Sequence, residues 1–179
     1  GANLEGYLYP DSFQKQSDTP AETIVRQSIQ ELQKYMTADI VSGLGAQGLS
    51  VYQGMTLASI VEKETSNPAD QPIVAQVFLS RYKQGMMLGS DVTAFYGSEL
   101  AGAGQQVFYE SPYNTRLHTG LPPGPIGNFT YSALRAVAKP ASTDYLYFVA
   151  GDDGTLHFSR TVAEHEAAVA EFCHQACSQ

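Results

Sequence analysis

Tryptophan is absent from this 179-residue sequence, cysteine occurs only twice, and lysine and arginine together number only 10. Without tryptophan, the stacking of a bound sugar ring would fall to tyrosine or phenylalanine. The cations are scattered among 18 acidic residues and the formal net charge is -8, which excludes the clustered positive charge that nucleic-acid binding requires. No apolar run approaches the roughly 20 residues needed to cross a bilayer.

The two cysteines, Cys173 and Cys177, lie near the end of the sequence, with His174 beside the first. Three ligands are too few for a closed zinc site, which needs about four. A disulfide between the two cysteines requires the last helical turn to fray. We therefore expect neither a metal nor an organic cofactor.

The residues that are present predict one folded domain. Apolar residues make up 43% of the chain, with 11 tyrosines and 8 phenylalanines, which is too apolar for a disordered segment. The length allows one sizeable core and is short for two. The sequence is therefore typical of a single, acidic, globular domain.

The first part of the chain repeats apolar residues every three or four positions, at Val25, Ile29, Leu32, Met36 and Ile40. This spacing predicts one amphipathic helix, opened by a capping box at Thr19 and Glu22 and ending near Gly43. The glycines that follow spell G-x-G-x-x-G. A dinucleotide site needs that motif between a strand and a helix, and here it follows a helix, so we interpret it as a helix end and a loop.

Shorter helices are predicted at 57–65 (capped by Thr56), after Pro72, at 93–97, at 132–138 and after a capping box at Thr161 and Glu164. A strand at 145–149 and a second at 156–159, joined by a turn, predict a β-hairpin. Helices followed by a late hairpin predict an α+β fold, in which several helices pack with a small antiparallel sheet.

Glu64 stands on the apolar face of the predicted helix 57–65. It follows Leu57 by seven positions, Ile60 by four and Val61 by three, so it projects from the same side as these residues. Burial beside aliphatic side chains raises the pKa of a carboxyl group. A glutamic acid with a raised pKa can protonate a leaving oxygen in glycoside cleavage. The alternative is that Glu64 turns to solvent at the helix end or pairs with Arg81 or Arg135.

Two polar loop segments suit a neutral polyhydroxyl ligand, since they combine hydroxyl and amide groups with aromatic rings on a rigid backbone. The residues concerned are Ser90, Asp91, Thr93 and Tyr96 in one segment, and Tyr113, Asn114 and Thr115 in the other. The second segment precedes a loop made stiff by three prolines at 120–126. Turn formation by the same residue types is the alternative explanation.

These segments together resemble the catalytic domain of the endolytic murein transglycosylases, also called the YceG-like or MltG family. The matching stretches follow one another in family order across nearly the whole chain, 1–179: LEGYLYPD at 4–11, LASIVEKET at 57–65, SDVTAFYG at 90–97, SPYNT at 111–115, GLPPGPI at 120–126, YLYFVA at 145–150 and HFS at 157–159. The chain departs from the family pattern at three positions: Val92, where the family usually has proline, Arg116, where it has an aromatic residue, and Phe129, where it has proline. The last two are expected to flank the glycan groove.

The resemblance implies an endolytic lyase that cleaves the β-1,4 bond between N-acetylmuramic acid and N-acetylglucosamine without water, leaving 1,6-anhydro ends. It assigns the catalytic acid to Glu64, the second glutamate of the Glu-Lys-Glu-Thr motif. We expect the substrate-binding residues of the glycan groove to be Ser90, Asp91, Thr93, Tyr96, Tyr113, Asn114, Thr115 and His157. It also implies an excised C-terminal domain, normally preceded by a membrane anchor and a LysM-like region. Such a domain would act on the extracytoplasmic side of the cytoplasmic membrane, on peptidoglycan strands and near the cell-wall synthases.

Two other functions stay open from the sequence. One is a muramidase-type hydrolase in which Glu64 is the acid and Asp91 the base or nucleophile. The other is a non-catalytic module that binds peptidoglycan or scaffolds the synthesis machinery, which would not need Glu64 on an apolar face. His157 alternates with Leu156 and Phe158 on the second strand, and would either face the groove or make a structural hydrogen bond.

Overall fold

The computed structural model describes residues 4–174. Within them the chain forms seven helices and one β-hairpin, in the order α1 (Ala21–Tyr35), α2 (Ala38–Ala46), α3 (Val51–Glu64), α4 (Gln71–Lys83), α5 (Asp91–Leu100), α6 (Tyr131–Ala138), β1 (Tyr147–Ala150), β2 (Leu156–Ser159) and α7 (Val162–Phe172). The predicted α+β class and the late antiparallel hairpin are confirmed. No helix of this part of the chain has both the length and the apolar character of a membrane span.

The prediction of one helix across residues 25–40 is wrong, because the segment forms the two helices α1 and α2. Met36 leaves the helical conformation, and the Thr37 hydroxyl accepts the backbone N–H of Ile40 at 3.3 Å to begin α2. The predicted capping box of α1 is also wrong: Pro20 is the N-cap, and the Thr19 hydroxyl instead accepts the N–H of Gln16. A threonine at a possible cap position offers a new start that apolar spacing alone does not reveal.

Helix α3 begins six residues earlier than predicted. Its capping box uses Ser50 and Gln53, whose side chains accept one another's backbone N–H groups at 3.2 and 2.9 Å. The Thr56 hydroxyl donates to the Tyr52 carbonyl inside the helix instead of capping it. As a result α3 has almost four turns, and its final residue is Glu64.

The core lies between α3, α4 and α6, with α2 packed on α6. Its largest fully buried side chains include Phe78, Phe129 and Leu134. The hairpin joins this helical body through Phe148, which meets Phe78 edge-on with 5.7 Å between the ring centroids. Helix α7 packs on both strands of the hairpin and has no fully buried residue.

Candidate active site

Glu64 ends α3 at the floor of a surface depression. The residues before it on the same face, Leu57, Ile60 and Val61, are buried, as the spacing predicted. Glu64 is half-buried, and the Ser90 hydroxyl donates to its Oε1 at 2.6 Å. Burial raises the pKa of Glu64 to about 7; the Ser90 hydrogen bond opposes this rise, and the charge of Asp91 adds to it.

Two adjoining cavities meet at Glu64. The larger has a volume of about 680 Å³ and is bounded by α4, the segment 87–91, the hairpin and α7. The smaller has a volume of about 400 Å³ and is lined by residues 64–67, Asp70 and the turn of the hairpin. Glu64, Ala150 and Leu156 line both cavities. The carboxyl therefore lies where an extended ligand would pass from one cavity into the other.

Ser90 is aimed at Glu64 by a buried hydrogen-bond network. Its backbone N–H donates to the Thr115 hydroxyl at 3.1 Å, and its carbonyl accepts the Thr93 hydroxyl at 2.7 Å. The Thr93 and Thr115 hydroxyls are 2.8 Å apart, and all three residues are buried. These bonds fix the backbone of Ser90 next to Glu64, and this keeps the Ser90 hydroxyl within hydrogen-bonding distance of the carboxyl.

Asp91 and Arg116 form an ion pair at the rim of the larger cavity. The Arg116 Nη1 donates to Asp91 Oδ1 at 2.6 Å, and both side chains are partly exposed. The guanidinium also lies 5.8 Å from the centre of the Phe108 ring. Arg116 therefore contributes positive charge where an aromatic residue is expected from the resemblance.

The other predicted groove residues lie away from both cavities. Asn114 is fully buried, and its amide donates to the Val107 and Tyr109 carbonyls at 2.9 Å each. Tyr96 and Tyr113 meet edge-on at 4.8 Å and pack against the core. His157 stacks on Phe172 at 3.7 Å. The structure thus brings Glu64, Ser90 and Asp91 together, places Thr93 and Thr115 behind them, and separates these other four.

Arg81, considered from the sequence only as a possible partner of Glu64, lines the larger cavity. Its Nε donates to the Leu146 carbonyl at 2.6 Å, its Nη1 donates to the Leu88 carbonyl at 2.7 Å, and its guanidinium lies over the Tyr147 ring. Burial lowers the pKa of Arg81 from its usual value. Position 81 follows Val74 by seven and Val77 by four, so the face argument used for Glu64 would have found it.

His165 of α7 also lines the larger cavity. Its ring stacks on Tyr147 with 5.5 Å between centroids, and burial, then the charge of Arg81, lowers its pKa. Its Nδ1 is buried without a hydrogen-bond partner among the described residues. The imidazole of His165 therefore lines the same cavity as Glu64, while its Nδ1 is buried.

Glu62, Val92 and Phe129, which were also singled out from the sequence, lie outside the two cavities. Glu62 accepts the backbone N–H and the hydroxyl of Thr130 at the start of α6, so it stabilises a helix end. Phe129 is buried in the core and lines neither cavity, contrary to the expected flanking position, and Val92 packs against the core. Cys177 lies outside the described residues, so the alternative of a bridge to Cys173 is not tested. Residues 4–174 contain no cluster of three or more histidine, cysteine, aspartate or glutamate side chains that could hold a metal ion.

Comparison with known proteins defines the class to which this fold and site belong. The profile of the YceG-like family matches residues 2–171, so the chain belongs to the YceG-like family. It is similar to the endolytic murein transglycosylase of Bacillus subtilis, with 38% identity over 92% of this chain and 47% of that protein. It is also similar to the endolytic murein transglycosylase of Streptococcus pneumoniae, with 28% identity over 94% of this chain and 32% of that protein.

A solved structure shows the same fold. The crystal structure of a yceG-like protein from Listeria monocytogenes superposes with a TM-score of 0.77 and 36% sequence identity, covering 92% of this chain and 55% of that chain. The chain thus spans about a third to a half of the length of the curated relatives that it matches.

Proposed function

We propose that this chain is a peptidoglycan lytic transglycosylase that cleaves the β-1,4 bond between N-acetylmuramic acid and N-acetylglucosamine inside glycan strands. The observation that carries the proposal is a carboxyl group with a pKa of about 7 at the junction of two cavities. The names of its relatives, endolytic murein transglycosylases, support the same chemistry. A cleft that continues on both sides of the carboxyl suits cleavage within a strand.

Glu64 would act first as an acid and then as a base. The neutral carboxyl donates its proton to the bridging oxygen as the bond from that oxygen to C1 of the muramic acid breaks, and the bond electrons leave with the oxygen. The carboxylate then takes the proton of the muramic 6-hydroxyl while that oxygen bonds to C1. This closes the 1,6-anhydro ring, returns Glu64 to its starting state and consumes no water. The tethered hydroxyl has the proximity advantage of an intramolecular nucleophile.

Ser90 would position the carboxyl and stabilise its ionised form. Its hydroxyl donates to Glu64 Oε1, and the bond strengthens when the carboxyl becomes negative. A pKa near neutrality keeps both protonation states accessible during one reaction cycle.

The proposal includes the setting implied by the family resemblance. The domain would work on the extracytoplasmic side of the cytoplasmic membrane, held there by an N-terminal anchor, and would trim or end nascent strands beside the cell-wall synthases.

A muramidase-type hydrolysis is the second candidate, because Asp91 lines the same cavity and its charge raises the pKa of Glu64. In that reaction Asp91 would activate a water molecule or attack C1. Its ion pair with Arg116 gives Asp91 a competing partner, which favours the transglycosylase.

Mass spectrometry of purified sacculi digested with the chain tests these functions. Fragments ending in 1,6-anhydromuramic acid, lost in Glu64→Gln, are the expected result. Glu62→Gln is the matched control, since it lies two positions away and keeps an oxygen to accept from Thr130. Reducing ends that carry an added water, lost also in Asp91→Asn, would establish the hydrolase instead. Binding of strands without any cleavage would contradict both enzymatic functions.

A further inference from the structure

Positive charge is distributed unequally between the two cavities. Of the five arginines in the chain, Arg81 and Arg116 line the larger cavity. The smaller cavity is lined by no arginine, lysine or histidine and includes Asp70. The larger cavity is also lined by Asp91, which pairs with Arg116, so Arg81 supplies the cation of this cavity that no carboxylate pairs among residues 4–174. Glu64 therefore separates a cavity with two guanidinium groups from one that carries no cation.

Arg81 is a half-buried cation with no carboxylate paired to it among residues 4–174. Its two hydrogen bonds go to uncharged carbonyl groups, and among residues 4–174 it forms no ion pair. Withdrawing a cation from water is costly unless an opposite charge compensates it. The positive charge of Arg116 also acts on Arg81, so the two guanidinium groups are close enough to reinforce each other's field. Arg116 is already paired with Asp91, so an anion entering this cavity would compensate the charge of Arg81.

Arg116 and His165 extend the same site. One N–H of Arg116 is used by Asp91, which leaves further donors of the guanidinium fork at the rim of the cavity. His165 lines the same cavity with its ring stacked on Tyr147. A planar anion with two oxygens, such as a carboxylate, matches this set of donors.

We propose that the larger cavity binds a carboxylate carried by the muramic acid residue, through Arg116 and Arg81, and thereby sets the direction in which the glycan strand lies across Glu64. This inference rests on the proposed function. Muramic acid differs from N-acetylglucosamine by a lactyl ether, which either ends in a free carboxylate or carries a peptide with carboxylates of its own. The muramic acid then occupies the larger cavity and the neutral N-acetylglucosamine the smaller one.

Net charge strengthens the case for a local anion site. The chain carries a formal charge of -8, and a strand with muramic carboxylates is also negative, so the protein as a whole repels its ligand. Attraction must come from cations at the point of contact.

Binding measured in the Glu64→Gln background tests the proposal without relying on catalysis. Fluorescently labelled soluble strands are prepared in three forms: with peptides, stripped of peptides to leave lactyl carboxylates, and with all carboxylates converted to methylamides. We expect the methylamide form to bind roughly tenfold more weakly than the best charged form, the loss typical of one charge-assisted hydrogen bond. This comparison uses one protein and is independent of the folding of any arginine variant.

Arg116→Gln, added to the same background, is expected to weaken binding of the charged strand roughly tenfold and to leave the methylamide form unchanged. Arg26→Gln is the matched control, because Arg26 also pairs with a carboxylate, Glu22, at 2.7 Å but lies on α1 away from both cavities. A loss confined to peptide-bearing strands assigns the site to a peptide carboxylate, and a loss confined to stripped strands assigns it to the lactyl group.

Equal binding of charged and methylamide strands, with no effect of Arg116→Gln, would overturn the carboxylate site and leave the proposed function standing. Failure of every strand form to bind would instead count against the proposed function.

Discussion

At the scale of single residues, the two neighbours of Glu64 act on its ionisation in opposite directions. The Ser90 hydroxyl stabilises the carboxylate and lowers its pKa, whereas the charge of Asp91 raises it. Because the acid step needs a protonated Glu64, we expect kcat/KM to fall above about pH 7. Ser90→Ala should move this fall to higher pH, and Asp91→Asn should move it to lower pH. Rates of fragment release from glycan strands between pH 5 and 9 measure both shifts.

Ser98→Ala is the control for that experiment, since Ser98 is a buried serine of the same helix, α5, and lines neither cavity. Its pH profile should match that of the unmodified chain. Shifts of Ser90→Ala and Asp91→Asn in the same direction would contradict the assignment of the profile to Glu64.

Stability gives a second prediction at the residue scale. The pKa of Glu64 is raised from 4.5 to about 7 by folding, so between these pH values the folded state keeps a proton that the unfolded state has lost. The contribution of Glu64 to stability is therefore complete below pH 4.5 and is lost as the pH rises through 7. Relative to Glu64→Gln, the unmodified chain should lose up to about 3 kcal/mol between pH 4.5 and 8.5.

Urea denaturation of both chains across that pH range measures the difference, which removes the contributions of groups that they share. A difference that stayed constant with pH would show that the Glu64 carboxyl is solvated in the folded state.

At the scale of elements, the approach of α2 to α6 depends on a glycine. A Cβ on Gly43 would lie 2.7 Å from the backbone carbonyl oxygen of Ala138, whereas a Cβ on Gly45, two residues later in the same helix, would meet nothing within 4 Å. Gly43→Ala should therefore cost about 1–3 kcal/mol of unfolding free energy by forcing the helices apart. Gly45→Ala should instead stabilise the chain by up to about 1 kcal/mol through helix propensity.

Thermal or urea unfolding of the two variants measures this contrast. Equal changes in unfolding free energy for the two variants would mean that α2 can shift away from α6 without loss of stability. These backbone requirements account for the G-x-G-x-x-G motif without a nucleotide-binding site. Gly43 permits close helix packing, and Gly48, with φ +82°, adopts a left-handed conformation just after the end of α2.

At the scale of the whole molecule, the larger cavity lies between two parts of the chain that differ in how many of their residues are buried. One wall belongs to the helical body, in which residues 54–61 of α3 are buried. The other wall is formed by the hairpin and by α7, and α7 has no buried residue. We expect amide hydrogens of α7 to exchange faster than those of α3, because local opening is easier where little apolar surface is buried. Glycan strands added to Glu64→Gln should slow exchange in β1 and α7.

Hydrogen-exchange mass spectrometry measures both effects, with α1 as the control element that lines neither cavity. Equal protection of α7 and α3 from amide hydrogen exchange would contradict the expectation that α7 opens more easily than the helical body.

The sequence by itself determined the α+β class, the late hairpin, most helix positions and the unusual location of Glu64. These features depend on local information, since apolar spacing and cap residues act over three to seven positions. It did not separate α1 from α2, because apolar residues continue across the break at Met36 and Thr37. Nor does the sequence show that Arg81 bonds to the Leu146 carbonyl, because that partner lies 65 positions away.

Only the tertiary structure decided which polar residues meet. Ser90 reaches Glu64 across 26 positions of sequence, Arg116 reaches Asp91 across 25, and Arg81 reaches the Leu146 carbonyl across 65. Asn114 and Asp91 both belong to segments that the sequence predicts as polar loops. In the tertiary structure Asn114 is buried and bonds to a loop carbonyl, whereas Asp91 lines the larger cavity. The physical reason is that hydroxyl, amide and charged groups bond equally well to backbone or ligand, and packing of the helices selects which partner lies within reach.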